Sequence, residues 1–396
     1  MGDNAFDIFV DRGNTNSAKW SILNKYGKDM ISMSVADMDL LAPQMLIDKL
    51  AQQNRMGIYG YTILPDNYYD IVRKYIFRHY QYEIASENIV FCPRIIQAIS
   101  IYIKEFTKPS DHIAVLTPSY APIVNAILLN NRIVESCALI YQAGSYRIDF
   151  EQLEKCFQVA KTFILISPHN PTGTVWSHSD LYRIATLAEK YGVFILSDDV
   201  HADFDFSGNK HIIISTISKY VEKHSIICTS PAKTFNIPGL EISNLLICDR
   251  KIRQNFQGCM QALGMHNPNF FSIPAIQVAY QYCDDWVGEL RNYIFQNKLI
   301  VKNFFAQEIP QLEVINSAGT YLIWVNYSQL QITEEKLKYW FIHLSNIEVS
   351  WGSDFGHEGR SFFRMNVAMP RSLLRKSLER IKQGFILLLQ EDTYHE

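Results

Sequence analysis

No run of apolar residues in this sequence approaches the roughly 20 positions that a membrane-crossing helix needs, so a membrane partner is not expected. The seven cysteines (Cys92, Cys137, Cys156, Cys228, Cys248, Cys259 and Cys283) are an odd number without a CxxC or a close pair, which argues against a disulfide framework. Most lie in apolar runs, where a thiol acts as a small hydrophobe. HExxH and clustered histidines are missing, so no metal site is expected. Neither sign of charge dominates: 37 Lys and Arg face 40 Asp and Glu, a net charge of −3 that offers nothing to a phosphate backbone, so nucleic acid is a poor partner. The opening MGDNAFDIFVDRG lacks the basic-then-apolar pattern of a secretory leader, and Phe6 stands where a myristoylation motif wants Ser or Thr. A cytoplasmic, reducing location is the expectation. There is no repeat period or low-complexity tract.

What is present is bulk and pattern. At 396 residues with 48% hydrophobic side chains, the chain can fill one large core and part of a second. From about residue 89, short apolar runs without alternation recur: NIVFC, HIAVLTP, TFILISP, VFILSDD, SIICTSP and SNLLICD. Strands buried on both faces read this way. Helical stretches separate them, such as HSDLYRIATLAEKYG with Ser177 as cap and Gly192 as stop. The expected fold is α/β: a three-layer α/β/α large domain over 46–285 with a mainly parallel sheet. Residues 1–45 and 286–396 are expected to form an N-terminal arm and a smaller α+β domain, the latter including a helix EEKLKYWFIHLSN.

Ligands of such sheets gather at the carboxyl ends of the strands. Four polar features stand there: Tyr120 in TPSYAP, Asn170 in SPHNPTG, Asp198 and His201 in SDDVH, and Ser230 with Lys233 in TSPAKTFNIPG. Each alone is unremarkable, a surface lysine or an ordinary turn. Together they supply what an aldehyde cofactor with a pyridine ring requires. A lysine amine forms a Schiff base with the aldehyde, and a carboxylate beside the ring nitrogen keeps it protonated and electron-withdrawing. An amide donates to the phenolic oxygen, an aromatic covers the ring face, and Ser230 with backbone N–H groups at a helix start near Ile95 and Ile96 can hold a phosphate.

Asn170, Asp198, Ser230 and Lys233, in this order and context, resemble the active site of fold-type I pyridoxal-phosphate enzymes. More narrowly, TNSAKW, SVADMDL, GIYGYT, SPHNPTG, SDDVHADF, SPAKTFNIPGL, AGTYLIW and FFRMNVAMPR resemble the cystathionine β-lyase and cysteine-S-conjugate β-lyase group of the class I/II aminotransferase superfamily. The resemblance implies pyridoxal 5'-phosphate on Lys233, Asp198 at the ring nitrogen, Asn170 at the phenolic oxygen, Tyr120 stacked on the ring and His201 near the cofactor. It further implies Arg364 as the clamp on the substrate α-carboxylate, the backbone around Val35 and Ala36 as the substrate-side turn, and a homodimer in which Tyr61 reaches the neighbouring subunit's cofactor phosphate.

The chain departs from that pattern at four places. Arg94 stands where the family has a glycine, and is expected to crowd the pocket or contact an acidic substrate; Glu241 replaces a neutral residue, Pro168 an asparagine, and SDD the usual SDE. Two reactions share these residues: elimination of a sulfur leaving group from Cβ, which the resemblance favours, and transamination. Racemisation, β-replacement and a binding-only role are further alternatives.

Overall fold

In the computed structural model, which describes residues 5–395, the apolar runs form a seven-stranded sheet. Its strands are β1 (Ile89–Cys92), β2 (His112–Thr117), β3 (Ile133–Ala138), β4 (Ala160–Ile166), β5 (Phe194–Asp198), β6 (Ser225–Thr229) and β7 (Ser243–Leu246). They lie in the order β1-β7-β6-β5-β4-β2-β3, and only β7 runs antiparallel to its neighbours. Alternate residues feed two cores. Phe163, Leu165, Ile195 and Ile227 pack on one face, while Ile164, Ile166, Leu196 and Ile226 pack on the other. The sheet is therefore covered on both sides, which makes the three layers. Strand β3 escaped the sequence reading because it is poorly covered: Ile133 and Ser136 are exposed and only Cys137 is fully covered, so its run IVESCA is not uniformly apolar.

The helices that matter below are α1 (Tyr68–Tyr80), α2 (Ile95–Phe106), α3 (Ala121–Leu129), α4 (His178–Tyr191), α5 (Ser272–Tyr282), α6 (Asp284–Glu308) and α7 (Arg371–His395). Helix α4 starts in a reciprocal capping box between Ser177 and Asp180 and stops at Gly192, whose φ of 68° is the left-handed geometry glycine adopts without cost.

A second, four-stranded antiparallel sheet, β8 (Glu313–Val314), β9 (Leu322–Asn326), β10 (Ser350–Trp351) and β11 (Phe362–Asn366), has the order β8-β9-β11-β10. Its core draws in Trp20, Ile31 and Met33, and Ile31–Ser32 pairs in parallel with Ile347–Glu348. The arm is fastened by a buried ion pair, Lys19 Nζ to Asp39 at 2.7 Å, and by Arg12 bridging Asp37 and Asp39 at 2.8 and 2.9 Å. A fourth cluster, including Met38, Phe204, Leu290 and Tyr321, joins the two bodies.

The segment read as one helix, EEKLKYWFIHLSN, is α-helical over Glu334–Tyr339 and widens to a π turn over Trp340–Leu344. The wide turn seats the fully buried Trp340, whose indole N–H donates to Ile381 O at 2.9 Å and whose ring lies against Gly384.

Candidate active site

The parallel register sets the site. Ile166, Asp198 and Cys228 are level across β4, β5 and β6, so the residues that follow each strand emerge together at one edge. Lys233 follows β6 in a single helical turn, Pro231–Thr234, which proline opens and Ser230 caps by accepting the Ala232 N–H at 3.0 Å. Its Nζ donates to Ala36 O at 2.6 Å. Burial pulls the Lys233 amine down to about 8; Asp37 and Asp198 oppose the shift and Arg364 reinforces it. The group is thus close to releasing its proton near neutrality, the condition for a base or nucleophile.

Asp198 ends β5, and burial raises its carboxyl to about 7 against the Val200 N–H at 3.2 Å and nearby Lys233. Among the described residues, that N–H is the one hydrogen bond to its side chain. A cationic ring N–H would restore the charged form. His201, three residues on, is buried; burial, Lys233 and Arg364 all drive it toward the neutral form. Among the described residues its Nδ1 has no hydrogen-bond partner, and its ring meets Tyr321 edge-on at 5.4 Å.

Arg364 comes from β11 and closes the site from the opposite side. It donates to Asn170 Oδ1 at 2.8 Å, Ser34 O at 3.0 Å and Ser350 Oγ at 3.1 Å, and lies 4.8 Å over the Phe355 ring, while its buried Nε has no hydrogen-bond partner among the described residues. Asn170 and Arg364 are therefore in direct contact. Tyr120 sits at the start of α3, where burial raises its hydroxyl and the charges of Arg364 and Asp198 both reach it. The Asn170 turn is pinned by Gly319: a Cβ there would lie 2.6 Å from Pro168 Cβ and 2.8 Å from Gly173 O, so no larger residue fits. Pro168, one of the departures, is part of that contact.

Ile95 and Ile96 open α2, where no side chain caps the first N–H groups, an arrangement suited to an anion. Ser230 is already committed, with Oγ donating to Ile242 O at 2.6 Å. Tyr61 is 99% exposed and stands apart from all of these groups. Arg94 does not point a free charge into the pocket: it pairs with Glu241, the two side chains being 55% and 39% exposed. Two of the departures are thus one exchange, each charge answering the other.

The sequence reading missed Tyr321 and Asn366. Tyr321 Oη donates to Ala36 O at 2.9 Å, the same carbonyl that receives Lys233. Asn366 Nδ2 donates to Val35 O at 2.7 Å and Asp37 O at 2.6 Å, shaping the turn. Asn366 stands two residues after Arg364 on one strand face, a spacing that flags it.

The pocket fits a flat, anionic, pyridine-containing group: an underbonded carboxyl at Asp198 and buried nitrogens of His201 and Arg364 lie within electrostatic reach of the lysine, and an uncapped helix start offers N–H groups suited to an anion. Among the described residues no cluster of metal-ligating side chains occurs, and no helix is long and apolar enough to cross a membrane.

Comparison with known proteins agrees. The Aminotransferase class I and II family model matches residues 28–381. The cystathionine beta-lyase PatB of Bacillus subtilis (strain 168) is 33% identical over 384 residues, covering 95% of this chain and 98% of that one. Cystalysin from Treponema denticola, whose crystal structure contains a pyridoxal 5'-phosphate cofactor, superposes with a TM-score of 0.92 at 31% identity, over 97% of this chain and 99% of that one. A pyridoxal-phosphate-bound protein from Clostridium difficile 630, assigned only provisionally as an aminotransferase, gives 0.93 at 35% identity, over 96% of this chain and 100% of that one. Sheet order, site and kinship together place this chain in the class I and II aminotransferase family, as a fold-type I pyridoxal-phosphate enzyme closely related to the cystathionine and cysteine-S-conjugate β-lyases.

Proposed function

We propose that the protein cleaves the C–S bond of L-cystathionine or a related cysteine S-conjugate, giving pyruvate, ammonia and a thiol. The observation that carries this reading is the lysine, carboxyl and guanidinium constellation on a chain 33% identical, over nearly its whole length, to a cystathionine beta-lyase. Pyridoxal phosphate, when bound, supplies the electron sink that makes the α-proton of an amino acid removable. Lys233 is the cofactor-bearing amine and, once free, the base that takes that proton. Arg364 holds the α-carboxylate by a two-pronged guanidinium contact, and Asp198 keeps the cofactor ring cationic. Asn170, Tyr120, His201 and the N–H groups of Ile95 and Ile96 hold the remaining edges, with the Ala36 turn on the substrate side.

Tyr61 completes the site of a second subunit. Its ring is fully exposed beside the exposed apolar side chains of Met56, Ile58, Tyr59 and Ile63, a patch that a homodimer would cover. The second reading is amino transfer to a 2-oxo acid, favoured by the likeness to the Clostridium difficile protein. Incubating the cofactor-loaded protein with L-cystathionine and no added oxo acid separates the two. Sustained release of pyruvate and homocysteine is expected; turnover only when an oxo acid is supplied overturns elimination in favour of transfer.

A further inference from the structure

Asp203 lies five residues beyond Asp198 and is buried. Three hydroxyls converge on its carboxylate: Tyr75 and Tyr80 of α1, each at 2.8 Å, and Thr234, the neighbour of Lys233, at 2.6 Å. His79 Nδ1 stands 3.4 Å away, and its Nε2 is 3.1 Å from Asp284. The Tyr75 ring is stacked between His79 at 4.0 Å and Tyr280 of α5 at 3.8 Å, so the tyrosine side of this hub is rigid.

The two buried aspartates behave in opposite ways. Burial raises both, but for Asp203 the His79 bond and charge and the Thr234 and Tyr75 hydroxyls outweigh it and hold the carboxyl below its usual range. A carboxylate is the side chain that can accept from several donors while presenting none of its own, and such charge-assisted bonds are the strong ones. The lysine turn is tied on its arm side by Asn236, bonded to Met38 and Leu40. It is only four residues long, and its backbone bonds, Phe235 N–H to Pro231 O and Ile237 N–H to Ala232 O, run within the segment itself.

We propose that Asp203 is a positioning residue for Lys233, anchoring the lysine turn to helix α1 through the Thr234 hydroxyl so that the amine is presented to the cofactor aldehyde in one orientation. This rests on the reading that Lys233 bears pyridoxal phosphate. Of the three hydroxyls, only that of Thr234 leads to the lysine, so the inference predicts unequal consequences for removing equal bonds.

The test is the rate at which cofactor-stripped protein captures added pyridoxal phosphate, followed by the visible absorbance of the lysine-bound form, with thermal unfolding of each variant alongside. Thr234→Val and Asp203→Asn are expected to capture about tenfold more slowly than the parent, the scale of a modest misplacement of a reacting group. Thr234→Ser, which restores the hydroxyl, and Tyr80→Phe, which unties the same carboxylate on the α1 side, should stay within about twofold of the parent. Capture by Thr234→Val at the parent rate, or slowing by Tyr80→Phe to match Thr234→Val at equal loss of thermal stability, overturns the inference. A parent protein that captures none overturns instead the assignment of the cofactor to Lys233. Should Asp203→Asn fail to fold, the Thr234 and Tyr80 variants decide the matter alone.

Discussion

The two walls of the pocket are built differently. On the large-domain wall, Asn170, Asp198 and Lys233 each lie within a few residues of a strand end, and the parallel register alone brings them level. On the small-domain wall, position comes from partners distant in sequence. Arg364 is fixed by Ser34 O, 330 positions away, and Ala36 by Tyr321, 285 away, while Asn366 holds the carbonyls of Val35 and Asp37 across 331 and 329. On the proposed function, chemistry falls to the wall that one sheet makes by itself, and grip on the substrate falls to the wall that must be assembled. Mutations on the first should strike kcat, and those on the second should fall mainly on KM.

The sharpest break would come from Lys233→Ala. Loss of the base and cofactor tether should lower turnover by at least about 10³-fold and abolish the absorbance of lysine-bound cofactor, without loss of thermal stability, because a buried amine is removed. Steady-state kinetics beside a melting curve would reveal it. Arg364→Gln follows, with kcat/KM expected to fall about 10²-fold, mostly as a rise in KM, on the scale of a lost charged hydrogen-bond pair; an unchanged KM would remove the carboxylate clamp from Arg364. Tyr321→Phe deletes one hydrogen bond to Ala36 O, so a change of roughly two- to tenfold is expected, again in KM, and a loss as deep as that of Lys233→Ala would erase the difference between the walls.

A smaller effect concerns Asp198 in cofactor-free protein. Its folded carboxyl titrates near 7 against 3.8 for the free group, so between these pH values the folded state holds a proton that the unfolded state has released. Stability contributed by the neutral carboxyl is present at acid pH and lost as pH rises toward 7. His201 acts in the opposite direction, being held neutral, and drops out when parent and Asp198→Asn are compared. Denaturant unfolding at pH 5 and pH 7 should show the parent losing stability relative to the variant, whereas a difference independent of pH would contradict the raised carboxyl. For Arg94→Gly, the charge already matched by Glu241 predicts little change in the preference between cystathionine and neutral S-alkylcysteines, which a competition assay would measure.

The same contrast governs what could be read in the sequence. Strands β1, β2 and β4 to β7 announce themselves because burial on both faces demands unbroken apolar runs, and the residues just beyond β2, β4, β5 and β6 then fall at the ligand edge of the sheet. Strand β3 and the π turn at Trp340–Leu344 carry no such signal, since one is left partly exposed and the other depends on how a tryptophan meets a glycine more than 40 positions away. Tyr321 and Asn366 went unseen for a related reason: their importance lies in backbone carbonyls of the arm. Arg94 was read in isolation as a pocket charge, and its partner Glu241 separately as an oddity, because 147 positions separate them.

The pairing of Ile31–Ser32 with Ile347–Glu348 has a consequence for how the molecule is made. Ser32 donates to Glu348 across 316 positions, so the arm leaves the ribosome long before its partner strand exists. At about 5–20 residues per second, the wait is roughly 16 to 60 seconds. Throughout that time the large sheet can be completed and Lys233 placed, while Val35 and Ala36 still lack the small sheet that shapes their turn. Nascent chains of this protein are therefore expected to acquire their cofactor-binding wall before their substrate-binding wall, so that the ability to retain cofactor precedes the ability to turn over substrate.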